Sequence, residues 1–252
     1  MSNIYNKDRE ITHGRGNLFM LNLSLPYIAL ETLEECKDGN EHSHIEIVEK
    51  FFEKLDFYIT EVFDRFEDKF ELLARRKGYN FPFLMGQHMY EGSEGIGPTD
   101  EIREAIKNGT LTLGFIGLSE TLVALIGKHH GESEEAQELG LKIVRHMYDR
   151  CVQKAQETHL NYGLMGSPAE GACGRLLRLA RKRFGVVKGV TDKEWFTNSH
   201  HIDVRYKISV WDKIRLEAPY HEFEPAGGPR EVWPAYNPVN ACQSGVDHGL
   251  IG

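Results

Sequence analysis

The residue pattern predicts an α/β domain built on parallel strands, and three observations carry that reading. A strand-like run from Thr110 to Ile116 passes at Gly117 into helically spaced Leu118, Leu122 and Leu125. The same grammar returns at 160–165, a strand followed by the glycine-rich loop 166–174 and a helix over 175–182. One long helical segment joins the two units, and a strand–helix–strand order of that length lays its strands parallel.

The elements follow in chain order. A polar opening ends in Gly14-Arg15-Gly16, a tight turn into the first strand. There Leu21, Leu23 and Leu25 alternate with Asn22 and Ser24, the period of a strand with one apolar face. Pro26 ends that strand, having no N–H for the ladder. Asn17 and Asn22 stand either in a cleft or on a solvated face. A long helix begins near Ser43, where Ile45, Val48, Phe52, Leu55, Ile59, Val62, Phe66, Phe70 and Leu73 recur at steps of three and four. Its phenylalanines, Phe51 and Phe57 among them, are expected in the core, and Gly78 closes it. Residues 79–100 are irregular, and a short amphipathic piece at 99–107 leads to an Asn108-Gly109 turn. Ser133, flanked by Glu132, Glu134 and Glu135, marks the start of the second long helix, over 133–159. Residues 195–204 read as a further strand carrying Asn198 and His200 inward. The final 229–252, with Pro229, Pro234 and Pro238, is expected to be an irregular tail.

Composition narrows the function classes. The chain has 252 residues, 40% of them hydrophobic and 27% charged, as in a globular protein. A net charge of −8 argues against a nucleic-acid partner, whose phosphates are held by clustered Lys and Arg. The four cysteines, Cys36, Cys151, Cys173 and Cys242, include no CxxC pair, and no apolar leader opens the sequence. A reducing cytoplasm is the expected compartment. Lys and His interrupt the longest apolar run, so no membrane span is expected.

Several histidines sit close in sequence, at 42 and 44, 129 and 130, and 200 and 201. None has the i, i+4 helical spacing of a zinc protease, so no metal is expected on this chain. No nucleophile elbow, Walker loop or dinucleotide fingerprint occurs. Ser167-Pro168 reads as a cap and first-turn proline, a place where backbone N–H groups can receive a phosphate. Arg175, Arg178, Arg181, Lys182 and Arg183 beyond it are either a solvated basic face or a phosphate clamp.

Several blocks nevertheless lie in a familiar order. Gly14-Arg-Gly-Asn17 with Asn22-Leu-Ser-Leu-Pro26 resembles a block of the anaerobic, glycyl-radical (class III) ribonucleoside-triphosphate reductases. So do Gly114-Phe-Ile-Gly-Leu-Ser-Glu-Thr-Leu122 with Gly127-Lys-His-His-Gly-Glu-Ser133, Ser167-Pro-Ala-Glu-Gly171 with Gly174-Arg175, Thr197-Asn-Ser199 and Glu217-Ala-Pro-Tyr220. The resemblance implies part of a ten-stranded α/β barrel over 1–228. It implies reduction of ribonucleoside triphosphates to deoxyribonucleoside triphosphates by a thiyl radical that a glycyl radical generates. A radical-SAM activase installs that radical, and formate or a thiol system supplies electrons.

The same resemblance assigns site residues. Ser167, Ala169, Glu170 and Gly171 become the substrate triphosphate loop, Asn17 a ribose contact, and Asn198 and His130 residues lining the cavity. It places the thiyl cysteine ahead of the Gly-Arg-Gly-Asn block, where this sequence has none. The radical glycine and the zinc-binding CxxC pairs likewise have no counterpart here. The chain is therefore expected to supply the middle-to-late barrel, to be inactive alone, and to assemble with the missing reductase segments or as an oligomer. The alternatives are a non-catalytic scaffold relic of that enzyme or a fragment of another glycyl-radical enzyme.

Overall fold

In the computed structural model of the chain, residues 13–37 and 42–224 are described. The expected tail at 229–252 lies outside them. Three strands, β1 (Asn17–Ser24), β2 (Thr110–Ile116) and β3 (Asn161–Gly166), form one parallel sheet in the order β1-β2-β3. Eight helices connect and cover them: α1 (Leu25–Glu35), α2 (His44–Ala74), α3 (Pro82–Gly86), α4 (Arg103–Ile106), α5 (Leu118–Ile126), α6 (Glu134–Thr158), α7 (Glu170–Phe184) and α8 (Val210–Glu217).

Alternation along the strands divides the sheet into two chemically different faces. Leu23, Leu111, Leu113, Phe115, Tyr162 and Leu164 are buried in the main core with α1, α2, α5 and α6. The register sets Asn22 beside Gly114 and Met165, and Met20 beside Thr112 and Gly163, on the other face. One face is thus greasy and helix-covered, the other a mixture in which Asn22 and Thr112 stand among methionines and glycines. All of β2 is buried, whereas β1 is half open.

The long helices form where their caps and stripes say they should. Ser43 accepts the Glu46 N–H at 3.3 Å while Glu46 reaches back to the Ser43 N–H at 2.7 Å, a complete capping box. Ser133 caps α6 through the Ala136 N–H. The buried line of α2 runs Phe51, Leu55, Ile59, Phe63, Phe66, Phe70 and Ala74. Ile45 and Phe57, expected inside, are 72% and 60% exposed. The stripe of a straight helix drifts around its axis, and only this line meets the sheet.

Three expectations are corrected. The strand ends at Ser24 rather than at Pro26: Leu25 already opens α1, and Pro26 sits in that helix's first turn, where its fixed φ suits a helix. α7 begins at Glu170, five residues before the expected start, so Ser167 is not its cap; that position is Ala169, which has no capping side chain. Residues 195–204 form no strand. Asn198 makes one isolated antiparallel bridge to Ile116, and Ser199 has φ 39°, in the left-handed region that interrupts an extended run. The backbone there is used differently: the Thr197 and Ser199 carbonyls accept the Gly117 and Leu118 N–H groups at 2.9 and 3.1 Å.

Candidate functional site

All three strands point their carboxyl ends at one edge of the sheet, and open α/β sheets bind ligands beyond that edge. The loop leaving β3 there is Ser167-Pro168-Ala169, which runs directly into α7. Ser167 is fully buried, and its hydroxyl donates to Asn22 Oδ1 across the width of β2. The crossing is possible because Gly114 lies between them. A Cβ at that position would fall 1.9 Å from Asn22 Oδ1 and 2.1 Å from Ser167 Oγ.

The other side of the loop is tied down by Asn198. Its Oδ1 accepts the Ala169 N–H at 3.2 Å and lies 3.0 Å from Cys173 Sγ. The first turn of α7 is left without a side-chain cap, so its leading N–H groups face outward unsatisfied by the helix itself. Gly171 is exposed, and a Cβ added there would meet no atom within 4 Å. A rigid loop, a helix amino terminus and open space therefore coincide at Ala169, Glu170 and Gly171. A cavity of about 640 Å³ opens from Gly171 and Asn198 between α7 and residues 194–204, with Arg175, Arg178, Trp195 and Lys213 on its walls.

The segment 197–203 is anchored by charge. Glu120, fully buried on α5, accepts the Thr197 N–H at 3.1 Å and its hydroxyl at 2.7 Å, and also the Lys193 ammonium. Lys193 donates at 2.6 Å to Asp203 as well. Burial alone would raise the Asp203 pKa, but the hydrogen bond from Arg205 and the Lys193 charge hold it well below the ordinary value.

His130 is 1% exposed beneath this segment, with Nε2 2.7 Å from the His200 carbonyl. Burial pushes its pKa down to about 3, so it is a neutral donor that holds backbone. His200 behind it pairs with Glu224 at 2.6 Å.

The structure thus brings Ser167, Ala169, Gly171 and Asn198 together, seats His130 behind them, and opens α7 at Glu170. Asn17 stands apart: it lies at the amino end of β1, accepting the Thr112 hydroxyl at 3.1 Å. Five residues separate it from Asn22, roughly 16 Å along a strand. Sequence reasoning left Asn22, like Asn17, between a cleft and a solvated face, and it missed the Glu120–Lys193–Asp203 network. The acidic Glu120 inside an otherwise apolar run was the available signal, since a buried carboxylate requires a cation.

Cys36, Cys151 and Cys173 form no disulfide, and burial pushes the Cys151 thiol pKa far up, which keeps it an inert packing group. Among the described residues no helix is long and apolar enough to cross a membrane.

Comparison with known proteins places this geometry. Residues 2–229 match the family described as anaerobic ribonucleoside-triphosphate reductase. The protein of that name from Haemophilus influenzae (strain ATCC 51907 / DSM 11121 / KW20 / Rd) is 34% identical over 219 residues, 85% of this chain and 29% of its own length. The one from Enterobacteria phage T4 is 34% identical over 223 residues, 87% of this chain and 33% of its own. The anaerobic ribonucleotide reductase of Thermotoga maritima, solved with citrate in its active site, shares the fold with a TM-score of 0.63 at 17% identity, over 85% of this chain and 34% of that one. The same enzyme in complex with dATP and CTP superposes with a TM-score of 0.61 at 16% identity, over 85% and 32% of the two chains. The chain spans about a third or less of the length of these relatives. The family match runs over nearly the whole chain, and the chain belongs to the anaerobic ribonucleoside-triphosphate reductase family.

Proposed function

We propose that this chain supplies the triphosphate-binding wall of an anaerobic ribonucleoside-triphosphate reductase, its sheet forming one arc of a ten-stranded barrel. The observation that carries the reading is the uncapped amino terminus of α7 at the carboxyl edge of the sheet, with open space at Gly171. Backbone N–H groups and the positive end of a helix dipole attract a phosphate. Ser167 and Asn198 fix the loop, Asn198 through the Ala169 N–H, so that Glu170 and Gly171 present the N–H groups at the start of α7, and His130 supports the Asn198–His200 backbone from behind. Asn17, beside Thr112 on the sheet, is the proposed ribose contact. The substrate is then a ribonucleoside triphosphate lying along the face of the sheet that carries Asn22 and Thr112.

The radical chemistry belongs to other segments of such an enzyme. A glycyl radical, set by a radical-SAM activase, would take the hydrogen atom of a cysteine thiol to leave a thiyl radical, and formate or a thiol system would supply electrons as the 2′-hydroxyl leaves as water. None of the described cysteines offers itself for that role, and the proposal assigns this chain binding and positioning only. The reducing compartment such chemistry needs agrees with a cytoplasmic setting.

Gly171→Asp tests the reading cleanly. A carboxylate in the first turn favours the helix by a few tenths of a kcal/mol, so the fold is retained. It repels a triphosphate, and affinity for ribonucleoside triphosphates should drop tenfold or more, about 1.4 kcal/mol or above. Unchanged affinity by calorimetric titration, with an unchanged melting curve, would remove the phosphate-loop assignment.

A further inference from the structure

We propose that His200, His221 and Glu224 form a binding site for a divalent transition cation of the zinc class. One ring nitrogen from each histidine and one Glu224 oxygen all lie within 4.8 Å of one another. Zinc bonds of about 2.0–2.2 Å in a tetrahedron set its ligand atoms roughly 3.4 Å apart. Glu224 faces both rings, with Oε1 2.6 Å from His200 Nδ1 and Oε2 3.7 Å from His221 Nδ1.

The surroundings are those of a prepared site rather than a surface coincidence. His200 and Glu224 are buried, at 2% and 5% exposure, while the His221 side chain is 45% exposed and leaves a path from solvent. His200 Nε2, the ring nitrogen that does not pair with Glu224, is buried with no hydrogen-bond partner, so Nδ1 is the nitrogen the ring offers to Glu224 and to a cation. The ring itself is held by a stacked Tyr220, 5.1 Å away and 8° from parallel, and its backbone carbonyl by His130. Glu224 packs against Gly166, where an added Cβ would approach its Oε2 to 2.7 Å. Two imidazoles and one carboxylate favour zinc-like ions over magnesium or calcium, which prefer oxygen alone. Three protein ligands leave a fourth position for water.

Sequence spacing concealed the site because its ligands come from a loop and a 3-10 turn twenty-one residues apart rather than from one helix. Its location gives it consequence. His200 is two residues from Asn198, and Glu224 touches the glycine before Ser167, so a bound cation would lock the triphosphate loop from behind. The inference stands independently of what that loop binds.

The test uses the full chain, stripped of metal with a chelator and titrated with Co²⁺, then with Zn²⁺ in competition. One equivalent of Co²⁺ should give the intense visible absorption of four-coordinate cobalt, and Zn²⁺ should bleach it. His221→Ala, at a half-exposed position, and Glu224→Gln should each lower affinity at least tenfold, with His44→Ala as the unaffected control. Absence of the absorption, or binding of equal strength in His221→Ala with its circular dichroism unchanged, overturns the site. Weak six-coordinate cobalt that survives both substitutions is adventitious and overturns it too.

Discussion

A methyl group at Gly114 would sit about where the Ser167 hydroxyl and the Asn22 amide oxygen now meet, at 2.1 and 1.9 Å. Neither neighbour can retreat cheaply, because Ser167 is fully buried and Asn22 is spaced by the register of β1 on β2. Gly114→Ala is therefore expected to lower stability by roughly 1–3 kcal/mol through overpacking. It should also break the Ser167–Asn22 hydrogen bond that joins the first and third strands over the second. Adding Asn22→Ala makes room for the methyl, so the double variant should recover part of the loss and show non-additivity of the kind that contacting residues give. Urea denaturation of the four proteins in the cycle measures this. An unchanged midpoint in Gly114→Ala, or strict additivity, would mean that the strands relax around the site more freely than the packing allows. Residue-scale facts of this type were only half legible in the sequence. Asn22 is visible as a polar member of an apolar alternation, yet its partner lies 145 residues away and emerges only from the sheet register.

At the scale of elements, legibility followed locality. β2, α2 and α6 declared themselves because their signals are contained within a few turns: a β-branched run, a capping box, a serine followed by glutamates. α1 and the start of α7 were obscured because neither has a capping side chain to announce it. Residues 195–204 misled because their alternation is real while their backbone partners are the first turn of α5 and the Glu120 carboxylate, about eighty positions upstream. That attachment has a pH signature. The folded pKa of Asp203 lies below its ordinary value of 3.8, so its salt bridge stabilises fully above that value and is lost as pH falls through the folded one. Wild type and Asp203→Asn should therefore differ most at neutral pH, and the gap between their urea midpoints should close in acid. A gap that stays constant would show that Asp203 contributes by packing rather than by charge.

On the scale of the whole molecule, the sheet is an unfinished object. Among the described residues β1 pairs only with β2 on one side, and β3 only with β2 on the other. Among the described residues neither outer edge pairs with a further strand, and an open edge is a template for one. The relatives extend well beyond the matched span, and a three-stranded parallel sheet with two open edges can take up further strands. The expected consequence is association: the chain by itself should be oligomeric or concentration-dependent in size, and should become monodisperse once segments matching the rest of the relatives' length are supplied. Light scattering over a wide concentration range reads the first outcome, and co-expression followed by size-exclusion chromatography the second. Because binding that favours the native state adds to its stability by mass action, the melting temperature should rise with protein concentration. Activity should follow assembly, with no deoxyribonucleotide formed by the chain alone under anaerobic conditions with activase and reductant. A cooperatively melting monomer whose transition ignores concentration would show that the edges are capped by something other than a partner. Deoxyribonucleotide production by that monomer would move the radical chemistry into these 252 residues.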